Sequence, residues 1–202
     1  MGSITVTKAV EGLQDWTAVA QNTIGESATL DCADQFITEL HIQAFLDTTT
    51  AHTGTKFKVQ VSSNTTGDED WQDLTEFSAL VGTAATDLIE DNPLAAASTV
   101  IALTGHALTV LGKWLGIEDG TLANSELVFE SAQATNSVTI LDGTTNSHAL
   151  NTAIFNVAMV KVIVLPAGTN RARVLVDNTV HAAGSSLNYK VRSSNITSYT
   201  TA

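Results

Sequence analysis

Five histidines, His41, His52, His106, His148 and His181, are the side chains here best suited to proton transfer or metal ligation near neutral pH. No two stand three or four residues apart, the spacing at which one helix face offers two imidazoles to a metal. His41 falls on the polar side of an alternating segment and the other four in loop-like text, so all five read as surface or hydrogen-bonded structural residues. Serine and threonine are plentiful, yet Gly-x-Ser-x-Gly is absent, as are the paired glycines of a phosphate loop or dinucleotide fold. Cys32 is the only cysteine; it allows no intrachain disulfide and reads as a small buried hydrophobe. Asp68, Glu69 and Asp70, with Asp73 and Glu76, form the densest acidic cluster, but their glycine precedes the acids and the calcium-loop spacing is missing. They read as an exposed turn. The expectation is a chain with no catalytic residue, no cofactor and no metal.

Charge narrows the partners. Nine Lys and Arg stand against 21 Asp and Glu, for a net charge of -12 and a pI near 4.5. Phosphate backbones and acidic membranes need clustered cations, so neither nucleic acid nor membrane is expected as a partner. Against that background, Arg171 and Arg173 project to one side of a strand, and Lys190 and Arg192 do the same on the next. These four are the candidate partner-binding residues, as a positive stripe for an acidic partner or for carboxylates across a subunit boundary. Trp71 and Trp114 could stack a sugar ring, but their apolar neighbours favour core anchoring.

The elements that must position these residues read as strands. Ile4-Thr5-Val6-Thr7 alternates, and a polar stretch with little periodicity follows to about Gly25. In Phe36 to Leu46, the residues Leu40, Ile42, Ala44 and Leu46 share one face while Glu39, His41 and Gln43 share the other. Lys56 to Val61 alternates again and is expected to pair with that strand. Residues 84–91 mix helix formers with Thr and Asp and allow a short helix. Strand text returns around Thr99, Trp114, Leu127 and Val138. Three segments, Met159 to Leu165, Arg171 to Val176 and Leu187 to Arg192, predict an antiparallel meander. The fold class is therefore all-β, an antiparallel β-sandwich, jelly-roll-like or Ig-like, with long loops. Residues 1–26 are expected as an N-terminal strand or arm, 27–193 as the body, with two smaller halves dividing near 78–98, and 194–202 as a tail. No run approaches the roughly 20 apolar residues of a membrane span, and Met1-Gly2-Ser3-Ile4-Thr5 predicts no secretory leader.

The segments Phe57 to Ser62 with Gly67 to Trp71, Ile117 to Gly120 with Asn124 to Glu126, and Leu165 to Gly168 through Arg171 to Val174 resemble tailed-phage structural proteins, in particular small β-rich virion proteins. That resemblance implies a capsid decoration or cement protein: a homo-oligomer on the outer capsid surface, bound to the major capsid protein, assembled in the host cytoplasm and acting by adhesion without catalysis. A neck, tail or fibre component and a carbohydrate-binding module are the alternative readings.

Overall fold

A computed structural model describes residues 4–33, 37–46, 54–67, 70–81, 84–105, 108, 113–179 and 187–201. Their strands form three antiparallel sheets. The first contains β1 (Ile4–Val19), β4 (Ile37–Leu46), β13 (Ala158–Val164) and β15 (Leu187–Thr201), in the order β1-β15-β4-β13. The second contains β2 (Ile24–Glu26), β5 (Thr55–Ser62), β6 (Gln72–Ala79) and β14 (Arg171–Asp177), in the order β2-β14-β5-β6, with the short β3 (Leu30–Asp31) also on β14. These two sheets make the sandwich. Their facing residues follow the period of two that the sequence displays: Leu40, Ile42, Ala44 and Leu46 on β4, Phe57 and Val59 on β5, Ala172, Val174 and Val176 on β14, and Leu187, Tyr189 and Val191 on β15 are all buried in one core, together with Cys32.

Between β6 and β13 the chain builds the third sheet from β7 (Thr86–Leu88), β8 (Val100–Ala102), β9 (Trp114–Glu118), β10 (Glu126–Ala134), β11 (Ser137–Ile140) and β12 (Ala153–Phe155). Its order is β7-β12-β9-β10-β11-β8. The outermost strands meet each other: Ile89 bridges Leu103, Glu90 N–H donates to the Ala102 carbonyl at 2.9 Å, and Thr104 N–H donates to Leu88 at 3.0 Å. Among the described residues the sheet thus curls round until its outermost strands touch, as a small barrel. It has its own core of Ile89, Leu94, Ile101, Leu103, Leu108, Leu115, Ile117, Val128, Val138, Ile140 and Ile154.

The barrel rests on the outer face of the first sheet. Phe45 lies on the otherwise polar side of β4, and it is the anchor. Its ring packs edge-on against Trp16 at 5.2 Å and stacks on Phe155 at 6.2 Å. Gly116 of β9 sits directly over it, where any side chain would overlap the ring. This contact needs glycine because the sheet backbone itself approaches the aromatic ring.

The all-β expectation holds, while several local expectations do not. Residues 84–91 contain strand β7 in place of a short helix. Asp87 points inward there and accepts hydrogen bonds from Leu88 N–H, Thr104 Oγ1 and Gly105 N–H, which hold the segment extended. The meander is absent: β13 and β15 both flank β4 in the first sheet, and β14 lies in the second. For the same reason β4 and β5 are not neighbours. The polar stretch after Val10 belongs to β1, which pairs with β15 from Ile4↔Thr201 to Val19↔Leu187. Irregularities at Thr7/Lys8, Gly12/Gln14 and Gln14/Thr17 interrupt its alternation, which hides the strand from a periodicity argument. Within the segments read as an N-terminal strand or arm, 1–26, and as a tail, 194–202, β1 and the end of β15 pair with one another.

Candidate functional site

The four basic residues singled out by spacing fall into two groups on opposite faces of the sandwich. On β14 the core takes Ala172, Val174 and Val176, so Arg171 and Arg173 project from the outer face of the second sheet. Arg171 is buried and holds the β5–β6 connection: its guanidinium donates to the carbonyls of Asn64 at 2.8 Å and Thr66 at 3.2 Å, and to Asp70 Oδ1 at 3.1 Å. A hydrogen bond from Ser62 and the charge of Arg171 hold the Asp70 carboxyl below its ordinary range. Arg173 donates to Glu26 at 2.6 Å and Gln60 at 2.9 Å. Both guanidinium groups stack on Trp71, at 4.8 and 4.3 Å from the ring centroid. This cluster fastens a loop to a sheet. Trp71 is accordingly half-buried under two cations, outside the central core, and Trp114 packs edge-on against Phe129. Asp68 and Glu69 of the acidic turn lie outside the described residues, as do His52, His106 and His181.

Lys190 and Arg192 belong to the other group. On β15 the core takes Leu187, Tyr189 and Val191, so Asn188, Lys190 and Arg192 face the barrel. Lys190 and Arg192 line a cleft of about 270 Å³ between the two bodies, with Trp16 and Gln43 on the sandwich wall and Ser125, Glu126, Thr145 and Asn146 on the barrel wall. Lys190 is 8% exposed; its ammonium lies 3.6 Å from Asp15 Oδ1 and 6.0 Å from the Trp16 ring centroid. Burial, and then the neighbouring Arg192 charge, push the Lys190 pKa down.

Behind the barrel wall stands a group that spacing could not reveal. His148 is fully buried and lies between two carboxylates, with Nδ1 3.1 Å from Asp119 Oδ2 and Nε2 2.7 Å from Glu126 Oε1. Its backbone is fixed by reciprocal hydrogen bonds with Leu94. Burial alone would lower the imidazole pKa, but hydrogen bonds and charge from Glu126 and Asp119 outweigh it and raise the pKa above the ordinary value. The partners respond in the opposite sense. Burial opposes ionisation of Glu126, yet His148 and the N–H groups of Thr145 and Asn146, at 2.7 and 3.2 Å, bring its pKa below normal. Asp119 is likewise lowered against burial, by the Thr121 N–H and by His148. The arrangement, a carboxylate oxygen against each ring nitrogen, favours the protonated form of the imidazole.

Chemically, this triad is a clamp. Each ring nitrogen faces a carboxylate, which leaves neither free to accept a proton from a substrate hydroxyl or to ligate a metal. The clamp joins the β9 terminus, the start of β10 and the loop before β12. Among the described residues no group of three or more His, Cys, Asp or Glu is placed to hold a metal ion. Asp119 also borders a second cleft, of about 620 Å³, with Ala18, Glu118, Asn151 and Asn188. The clefts on either side of the clamp thus share the junction between sandwich and barrel. The spacing of Lys190 and Arg192 was legible in sequence; Glu126, Asn146 and His148 come to that place only through barrel closure.

No known protein family matches the chain, and no curated protein matches it in sequence. Solved structures do resemble it at low identity. The K3 cleaved adhesin domain of Lys-gingipain from Porphyromonas gingivalis W83 is 11% identical, with a TM-score of 0.40 over 87% of this chain and 71% of that one. The K1 cleaved adhesin domain of the same protein is 9% identical, with a TM-score of 0.37 over 93% and 97%. VP17, a capsid protein of bacteriophage P23-77, is 10% identical, with a TM-score of 0.21 over 96% and 99%.

Proposed function

We propose that this chain is a structural protein of a phage virion, one that binds the outer capsid surface through the major capsid protein and stabilises the shell as a homo-oligomer. The sequence resemblance points to that setting, and one structural observation carries the adhesive mechanism. Among the described residues, strand β13 ends the first sheet and pairs only with β4. It contains no proline and a single charge, Lys161, whose ammonium lies over the Phe77 ring at 5.6 Å. Val162 and Val164 are 46% and 61% exposed.

Natural sheets shield such edges with charge, proline or a covering element. An apolar, unshielded edge suits the addition of an extended segment from a neighbour, with main-chain hydrogen bonds giving affinity and the valine side chains giving contact. Adhesion of this kind needs no catalytic group. The test is quantitative mass spectrometry of purified source particles. A copy number that scales with the shell protein supports decoration; a few copies per particle assign the chain to a neck, tail or fibre; absence from particles overturns the reading.

A further inference from the structure

We propose that the cleft between β15 and the barrel binds a hexuronate, a sugar ring that carries one carboxylate. This goes beyond capsid adhesion and stands independently of it. The first observation is under-neutralised positive charge. Lys190 is nearly buried, and the one carboxylate within 4 Å among the described residues, Asp15, is 80% exposed and 3.6 Å away, so that pair is weak. Arg192 projects from the same face two residues on and forms no ion pair among the described residues. Two adjacent cations, one of them desolvated, repel each other until an anion lies between them. A carboxylate bridging Lys190 Nζ and the Arg192 guanidinium meets that need.

The second observation concerns the other polar groups. Gln43, Ser125, Thr145 and Asn146 bring amides and hydroxyls to the same small space. Glu126 faces it too, but its negative charge is already committed to His148 and to two backbone N–H groups. It remains an acceptor for a hydroxyl without cancelling the cations. A carboxylate alone answers only the cations, and a neutral sugar answers only the amides and hydroxyls. A ring bearing both answers the whole lining, and about 270 Å³ is a volume for a single ring, just below the roughly 300 Å³ at which ligand pockets usually begin.

Calorimetric titration of the full chain at low salt tests this with sodium glucuronate, glucose, a trigalacturonate and N-acetylglutamate amide. Glucuronate is expected to bind saturably, glucose not at all, and Arg192→Gln to weaken glucuronate at least about tenfold. Arg192 is exposed, so this variant keeps the fold, which circular dichroism checks. Arg173→Gln, on the opposite face, is expected to leave binding unchanged. Tighter binding of the trimer identifies a polysaccharide as the source of the ligand, and equal binding identifies the free acid; either supports the site. Absence of saturable glucuronate binding overturns the proposal, as do equal affinity for glucose and indifference to Arg192→Gln. Glutamate amide binding as tightly as glucuronate overturns it in favour of a docking point for acidic side chains.

Discussion

At the scale of single residues, the barrel depends on charges that were removed from water and then paired. Replacing His148 by Gln leaves Asp119 and Glu126 facing each other without a cation, and loss of one member of a buried ion pair costs about 3–5 kcal/mol. The folded pKa of His148 lies above its unfolded value of about 6.5, so its stabilisation is complete below that pH and disappears as pH rises through the folded value. Asp119 and Glu126 have folded values below their unfolded ones, near 4; their stabilisation is present above that pH and is lost as pH falls through the folded values. Chemical denaturation scanned with pH is therefore expected to show maximum stability between about 4 and 6.5, and this maximum should flatten in His148→Gln. Glu130 is the opposite case. It is fully buried, neither carboxylate oxygen has a hydrogen-bond partner among the described residues, and burial raises its pKa. Ionisation above the ordinary carboxyl range thus destabilises the fold as pH rises. Glu130→Gln is expected to raise the denaturation midpoint at pH 7 by an amount worth about 1–3 kcal/mol, and a lowered midpoint would refute this account.

At the scale of elements, β13 and the Phe45–Gly116 contact carry opposite expectations. Val162→Lys and Val164→Lys place charge on an exposed edge, so thermal stability should stay within about 0.5 kcal/mol while sedimentation of the protein with shells is abolished. Gly116→Ala forces a methyl group into the Phe45 ring and should cost about 1–3 kcal/mol; Phe45→Ala should cost about 3–5 kcal/mol. Element identity was largely legible in the sequence, because Leu40 to Leu46 and Arg171 to Val176 display their alternation openly. Pairing was less so. Nothing in the text around Arg171 distinguishes a strand that pairs with β5 from one that pairs with β15, since both partners present the same apolar face. The β1 irregularities erased its period, and the long partner that rescues it lies at the other end of the chain. Phe45 on a polar face was the one visible sign that a third layer covers the first sheet.

At the scale of the whole molecule, three layers follow one another: the second sheet, the first sheet and the barrel. This order explains why the four cations separate. Alternation along a strand tells which residues share a face, but the face toward which they point depends on the sheet that recruits the strand. Lys190 and Arg192 were identifiable as a pair from spacing, and the cleft that contains them was not, because its far wall comes from a body that closes only when β7 meets β8. The same geometry makes the chain's acidity compatible with an anionic ligand: among the described residues Glu126 is the one acid lining that cleft, where it is paired with His148, and two cations are confined to the same junction.

The barrel leaves the sandwich and returns to it at a single place. Ala85 N–H donates to Asn156 Oδ1 at 2.8 Å, and Asn156 N–H donates to the Ala85 carbonyl at 3.2 Å. The 70 residues or so between them are thus spliced into the sandwich at one hydrogen-bonded pair, much as a bead is tied onto a cord, and loops whose ends already touch accept replacement with little change in closure entropy. A lineage could exchange this cassette for another without altering the strand order of its host, and an engineer could use the same two positions to graft a foreign domain.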